Sequence, residues 1–128
     1  MSEALPHAWQ SGLEMQLLDD AHHPGWPDTG DLRRGALWTD SAPQKVLRPI
    51  GRFNTARIVV RDSYVEHWLN DVLVVAYDLH SAAFAALVAH SKFKNLPGFG
   101  REARGHIALQ HHGDVVWFRH LHIRPLPD

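Results

Sequence analysis

RFNTARIVVRDS (52–63) and YVEHWLNDVLVVAYDL (64–79) decide how this chain folds. Val, Ile, Tyr and Trp dominate both stretches, and such side chains suit a pleated, half-buried surface. Asn70-Asp71 falls between two apolar runs. Both residue types tolerate left-handed backbone angles, so the pair predicts a two-residue hairpin turn. Alternation with period two places Val65, His67 and Leu69 on one face, with Glu66 and Trp68 on the other. His67 in that apolar row reads first as a satisfied sheet histidine, and Trp68 as core before sugar platform. Asn54, His67 and Asn70 are the polar groups this segment offers a ligand.

Outward from this hairpin, GLEMQLLDD (12–20) alternates as a strand, and residues 21–35 form a Pro-, Gly-, Asp- and His-rich loop. GALWTD (35–40) reads as a short strand, and SAPQKVLRPIG (41–51) as a connection with two prolines. SAAFAALVAHSKF (81–93) is the one convincing helix, with Ser81 as N-cap and Phe84, Leu87 and Val88 packing on the sheet. NLPGFGREARG (95–105) is a loop. HIALQHH (106–112) and VVWFRHLHIRPL (115–126) form a closing strand pair joined through Gly113-Asp114. About seven strands and one short helix indicate an all-β antiparallel sandwich or jelly roll.

The totals narrow the function. A chain of 128 residues is one small domain, 1–128, with 1–11 as a flexible N-terminus. Lys+Arg 13 against Asp+Glu 14 gives a net charge of −1 and no electrostatic case for nucleic acid or an anionic membrane. No apolar run approaches the roughly 20 residues of a membrane span. Cysteine is absent, which removes disulfides, thiolate zinc sites and a cysteine nucleophile. MSEALPHAWQSG lacks a signal-peptide pattern, so the compartment stays open. There is no internal repeat, and no P-loop or dinucleotide fingerprint.

Histidine is the unusual count, at 11, paired as His22/His23, His111/His112 and His120/His122. Histidine titrates near neutrality and binds metals, so the pairing draws attention. Three constellations follow. Glu14 and Gln16 share a strand face near Asp19 and His23; the bland alternative is a solvated face. Asn54 and His67 belong to the central hairpin. Gln110 and His112 share a face of the next strand while His111 points away, and Arg119 follows among apolar neighbours. A charge there needs a carboxylate or a ligand. No tight metal motif is present and no cofactor is specified, though His23, His112 and a carboxylate are able to assemble a divalent-metal site.

Taken together, GLEMQLLDD with HHP, GRFNTARIVV, VEHWLNDVLVVAYDL, SKFKNLPGFG and GHIALQHHGDVVWFRHLHIR resemble the 3-keto-disaccharide hydrolase domain family, in order from Gly12 onward. The resemblance implies a concanavalin A-like jelly roll and cleavage of glycosides oxidised to a ketone at C3. A C3 ketone acidifies the C2 proton, so a base removes it, the C1 substituent leaves by elimination, and water adds back. The roles this implies are His112 or Asp19 as base, Glu14 or His23 as acid, and Arg119, Gln110 or a metal at the ketone. Gln16, Asn54 and His67 join Gln110 and Arg119 as substrate-binding candidates. Relatives of the family are often periplasmic or secreted.

Three positions depart from the family pattern: His111 in place of Asp, Asp71 in place of Gly, and His120 in place of Asn. The resemblance also implies that the chain corresponds to the C-terminal part of the family domain. An incomplete jelly roll leaves edges and an apolar face open. It is therefore expected to associate, as a homo-oligomer or with a strand-completing partner chain, and to be inactive alone. The competing functions are a non-catalytic carbohydrate-binding module and a truncated structural fragment.

Overall fold

The computed structural model describes residues 5–15, 47–96, 98–111 and 113–127. Strands β1 (Ala56–Arg61), β2 (Tyr64–Leu69) and β3 (Val72–Asp78) form one antiparallel sheet in the order β1-β2-β3, followed by helix α1 (Ala82–Ala89). The central hairpin is as expected. Asn70 and Asp71 have φ of 48° and 65°, and two positive φ values match the twist that a two-residue hairpin needs. Asp62, with φ of 52°, and Ser63 close the β1–β2 hairpin in a second two-residue turn, with one positive φ rather than two. The β2–β3 register slips between His67 and Trp68, an irregularity that locally bends the strand.

Burial splits the sheet into two chemically distinct faces. Val65, His67 and Leu69 are all buried, whereas Glu66 and Trp68 between them are half-buried. The apolar face meets a small core of Phe84, Phe93 and Phe99, with Leu13, Tyr77, Val88 and Leu96 packed against it. Ser81 caps α1: its Oγ accepts from the backbone N–H of Phe84 at 3.1 Å. Phe84 and Val88, one turn apart, carry the packing stripe. Leu87 lies on its flank and stays exposed, contrary to the expectation that it would pack on the sheet.

The loop after α1 supplies more core than its composition suggests. Phe93 and Phe99 stack with centroids 4.0 Å apart, and Phe93 is only 1% exposed. Burying such a ring is worth roughly 1.5–3 kcal/mol. Gly100 allows this arrangement. Its φ is 68°, and a Cβ there would sit 3.1 Å from Phe84 Cζ. Its N–H donates to the carbonyl of Ser11 at 2.9 Å, which ties residues 11–13 to the core.

The remaining strand expectations fare differently. Residues 12–15 and both arms of the closing pair, 106–111 and 115–126, form no ladder among the described residues and are not strands. Strand-forming composition does not suffice without a neighbour to accept the backbone hydrogen bonds. GALWTD and the rest of GLEMQLLDD lie outside the described residues. The fold is therefore an all-β fragment with one helix, and no second sheet stacks on the first among the described residues. Large apolar side chains of 107–123 are accordingly left in solvent, with Ile123 84% exposed.

Candidate functional site

The end of the sheet beside the Asn70-Asp71 turn gathers several candidates. Asn70 Oδ1 accepts from the Thr55 N–H at 2.9 Å, and Asn70 Nδ2 donates to Asn54 Oδ1 at 2.7 Å. Asn54 Oδ1 also accepts from the Arg48 N–H at 2.9 Å. Its amide oxygen is thus occupied in fastening the 48–55 loop to the hairpin. Next to it, Phe53 is held by two cations. Arg48 donates to its carbonyl at 2.9 Å, and the Arg119 guanidinium lies 3.8 Å over its ring.

Arg119 needed either a carboxylate or a ligand on the sequence reading, and the structure gives it an aromatic face. A cation over a ring is stabilised by roughly 0.5–1 kcal/mol at exposed sites and keeps its N–H groups available. His120 follows with φ of 53°, so the chain kinks directly after this contact. Arg119, Phe53, Asn54 and Asn70 form one neighbourhood, rich in donors and with no carboxylate against Arg119 among the described residues.

His67 sits on the opposite, apolar face. It is 3% exposed, and its Nε2 lies 3.0 Å from the Tyr77 hydroxyl. Tyr77 meets it edge-on and stacks on Phe84 of α1. Burial pulls the imidazole pKa from 6.5 down to about 4, so it is neutral at pH 7. The same burial pushes the Tyr77 phenol up. This is a link between sheet and helix, and the substrate-binding expectation for His67 finds no open surface there.

Gln110 is exposed and lines an open cleft of about 430 Å³ over the 109–118 turn, together with Leu109, His111, Asp114 and Phe118. Gly113, with φ of 102°, makes that turn, and its N–H reaches His111 Nδ1 at 3.4 Å. Glu14 is half-buried next to Leu13 and is already engaged in an interaction. Gln16, Asp19, His23 and His112 lie outside the described residues. Among the described residues, no three His, Asp or Glu side chains converge as metal ligands, and no helix is long and apolar enough to cross a membrane.

The model of the 3-keto-alpha-glucoside-1,2-lyase-like domain matches residues 1–124. The chain belongs to this family. A 3-keto-disaccharide hydrolase of Bacteroides thetaiotaomicron is 32% identical over 139 aligned positions, which cover 98% of this chain and 48% of that protein. A crystal structure from Parabacteroides distasonis, of a candidate glycosyl hydrolase, superposes with a TM-score of 0.60 at 23% identity. That match covers 79% of this chain and 48% of the other, and it shows shared fold. This lyase-like family member thus spans about half the length of the relatives it matches.

Sequence reasoning missed Phe53 and Arg48 as the partners that fix Arg119 and Asn54. Phe53 stands at the start of an apolar strand pattern, and nothing local marks it as a seat for a cation far along the chain. The doubled Asn at 54 and 70 was visible, but their mutual hydrogen bond depends on strand register.

Proposed function

We propose that this chain supplies part of a site that cleaves 3-keto glycosides by C2 proton abstraction and elimination at C1. Arg119 carries the reading: a guanidinium fixed over Phe53 with no carboxylate partner among the described residues, in a chain of this family. Removal of the C2 proton pushes negative charge onto the C3 oxygen. A donor held in place beside that oxygen stabilises the charge as it forms and lowers the barrier.

The roles follow from that step. His112 or Asp19 takes the C2 proton, and the C1–O bond breaks as its electrons leave with the departing oxygen. Glu14 or His23 protonates that oxygen. Arg119, Gln110 or a divalent metal holds the ketone. Gln16 and Asn54 border the sugar, and His67 supports the sheet from beneath. The exposed apolar residues of 107–123 favour completion of the site by further strands, from a second copy or a partner chain.

Incubating the folded, association-competent protein with methyl 3-keto-glucoside in D₂O, with and without divalent metal, tests this directly. Methanol release with deuterium at C2 of the product is expected. Product that retains its C2 proton would mean direct hydrolysis, and no product at all would remove the enzyme reading.

A further inference from the structure

The polar face of the sheet carries a cluster that none of the roles above uses. Arg57 on β1 stands opposite Trp68 on β2, and its guanidinium carbon lies 4.7 Å from the centroid of the indole ring. The same indole donates its Nε1–H to Glu66 Oε2 at 2.8 Å. One half-buried tryptophan therefore orients a planar fork of donors and a carboxylate whose second oxygen has no partner among the described residues. Glu66 stands opposite Val59 and Ala76, short side chains that leave the carboxylate reachable.

This pairing matches a particular chemistry. Arginine only donates, an ionised carboxylate only accepts, and adjacent sugar hydroxyls do both. Phe53, which carries the Arg119 guanidinium over its ring, stands three residues before β1 begins and four before Arg57. Four residues of chain reach at most about 14 Å, so Arg119 and Arg57 lie within a distance on the scale of two linked pyranose rings. We propose that Arg57, Trp68 and Glu66 form a subsite for the vicinal hydroxyls of the second, non-reacting sugar ring. Arg57 and Glu66 contact the ring, and Trp68 is their positioning residue. The identity of the ring as the non-reacting one rests on the cleavage reading; the diol recognition does not.

The test uses protein labelled with ¹⁵N-tryptophan, whose five indole N–H signals report separately on the five tryptophans. Trp68→Phe identifies the Trp68 signal. Trehalose, which carries vicinal diols and no ketone, is the probe. A saturable shift of the Trp68 signal is expected while the other four stay fixed. Glu66→Gln keeps an acceptor for the indole but turns the outer oxygen into a donor, and Arg57→Lys keeps the charge without the fork. Each should weaken binding at least tenfold, with the other four indole signals unmoved as proof of folding. A silent Trp68 signal, or equal affinity in both variants, overturns the subsite. Cleavage of methyl 3-keto-glucoside with a silent Trp68 would leave the enzyme reading standing and remove only the subsite. A saturable Trp68 shift without any cleavage would do the reverse.

Discussion

Lowering the pH should loosen this protein through His67, by an amount the structure allows to be worked out. The unfolded chain binds a proton at His67 near pH 6.5, whereas the folded chain resists until about pH 4. Above pH 6.5 both states are neutral there, and the full stability is present. Between pH 6.5 and 4 the unfolded state binds the extra proton, so stability falls by about 1.4 kcal/mol per pH unit. The whole difference comes to about 3 kcal/mol, a large part of the stability of a small domain. Protonation would place a charge between Val65 and Leu69 and against Tyr77, which itself leans on Phe84. The comparison variant is His67→Gln, which keeps a polar partner for the Tyr77 hydroxyl and cannot titrate. Urea unfolding of both proteins from pH 7 to 4 should show the wild type losing about 3 kcal/mol more than the variant. Other carboxylates and histidines cancel in that difference. Parallel curves would show that the buried imidazole is not linked to folding, and the reasoning would fail.

Gly100→Ala should cost about 1–2 kcal/mol, because a side chain is disfavoured at φ of 68° and its Cβ meets the Phe84 ring; urea midpoints measure it. Ser81→Ala removes the acceptor for the Phe84 N–H and should cost about 1 kcal/mol in the same assay. Asp71→Gly should raise stability by up to about 1 kcal/mol, since Asp71 holds φ of 65°, which glycine adopts freely. Arg119→Met keeps an apolar contact with Phe53 but removes the donors. It should lower turnover of methyl 3-keto-glucoside by about 100-fold while leaving the urea midpoint nearly unchanged.

The hairpin was legible in the sequence because its information is local. Two apolar runs, a two-residue turn and period-two alternation all pointed to the arrangement found at β2 and β3. Ser81 announced α1 for the same reason. Phe93 and Phe99 were not legible, because they lie in an irregular loop where no period marks a core face. The closing pair was misread for a complementary reason: VVWF and HIALQ have the side chains of strands, but a ladder also needs a partner that composition cannot supply. At the candidate site the residue types were readable and the partnerships were not. Arg119 over Phe53 and Asn54 beneath Asn70 are contacts between segments distant in sequence.

The uncovered stretch 115–123 also sets how this chain behaves in a crowded solution. Val115 to Phe118 is a run of strong strand formers without charge or proline, four residues long where stacked sheets draw on segments of about six. Its restraints are built into the same stretch. Asp114 precedes the run, Arg119 interrupts it, and His120 turns the backbone to φ of 53°, where a flat ladder cannot continue. These neighbours act as gatekeepers against self-templated aggregation. Removing the kink or the charge in pursuit of a tidier strand would lengthen that run and favour stacking of identical segments.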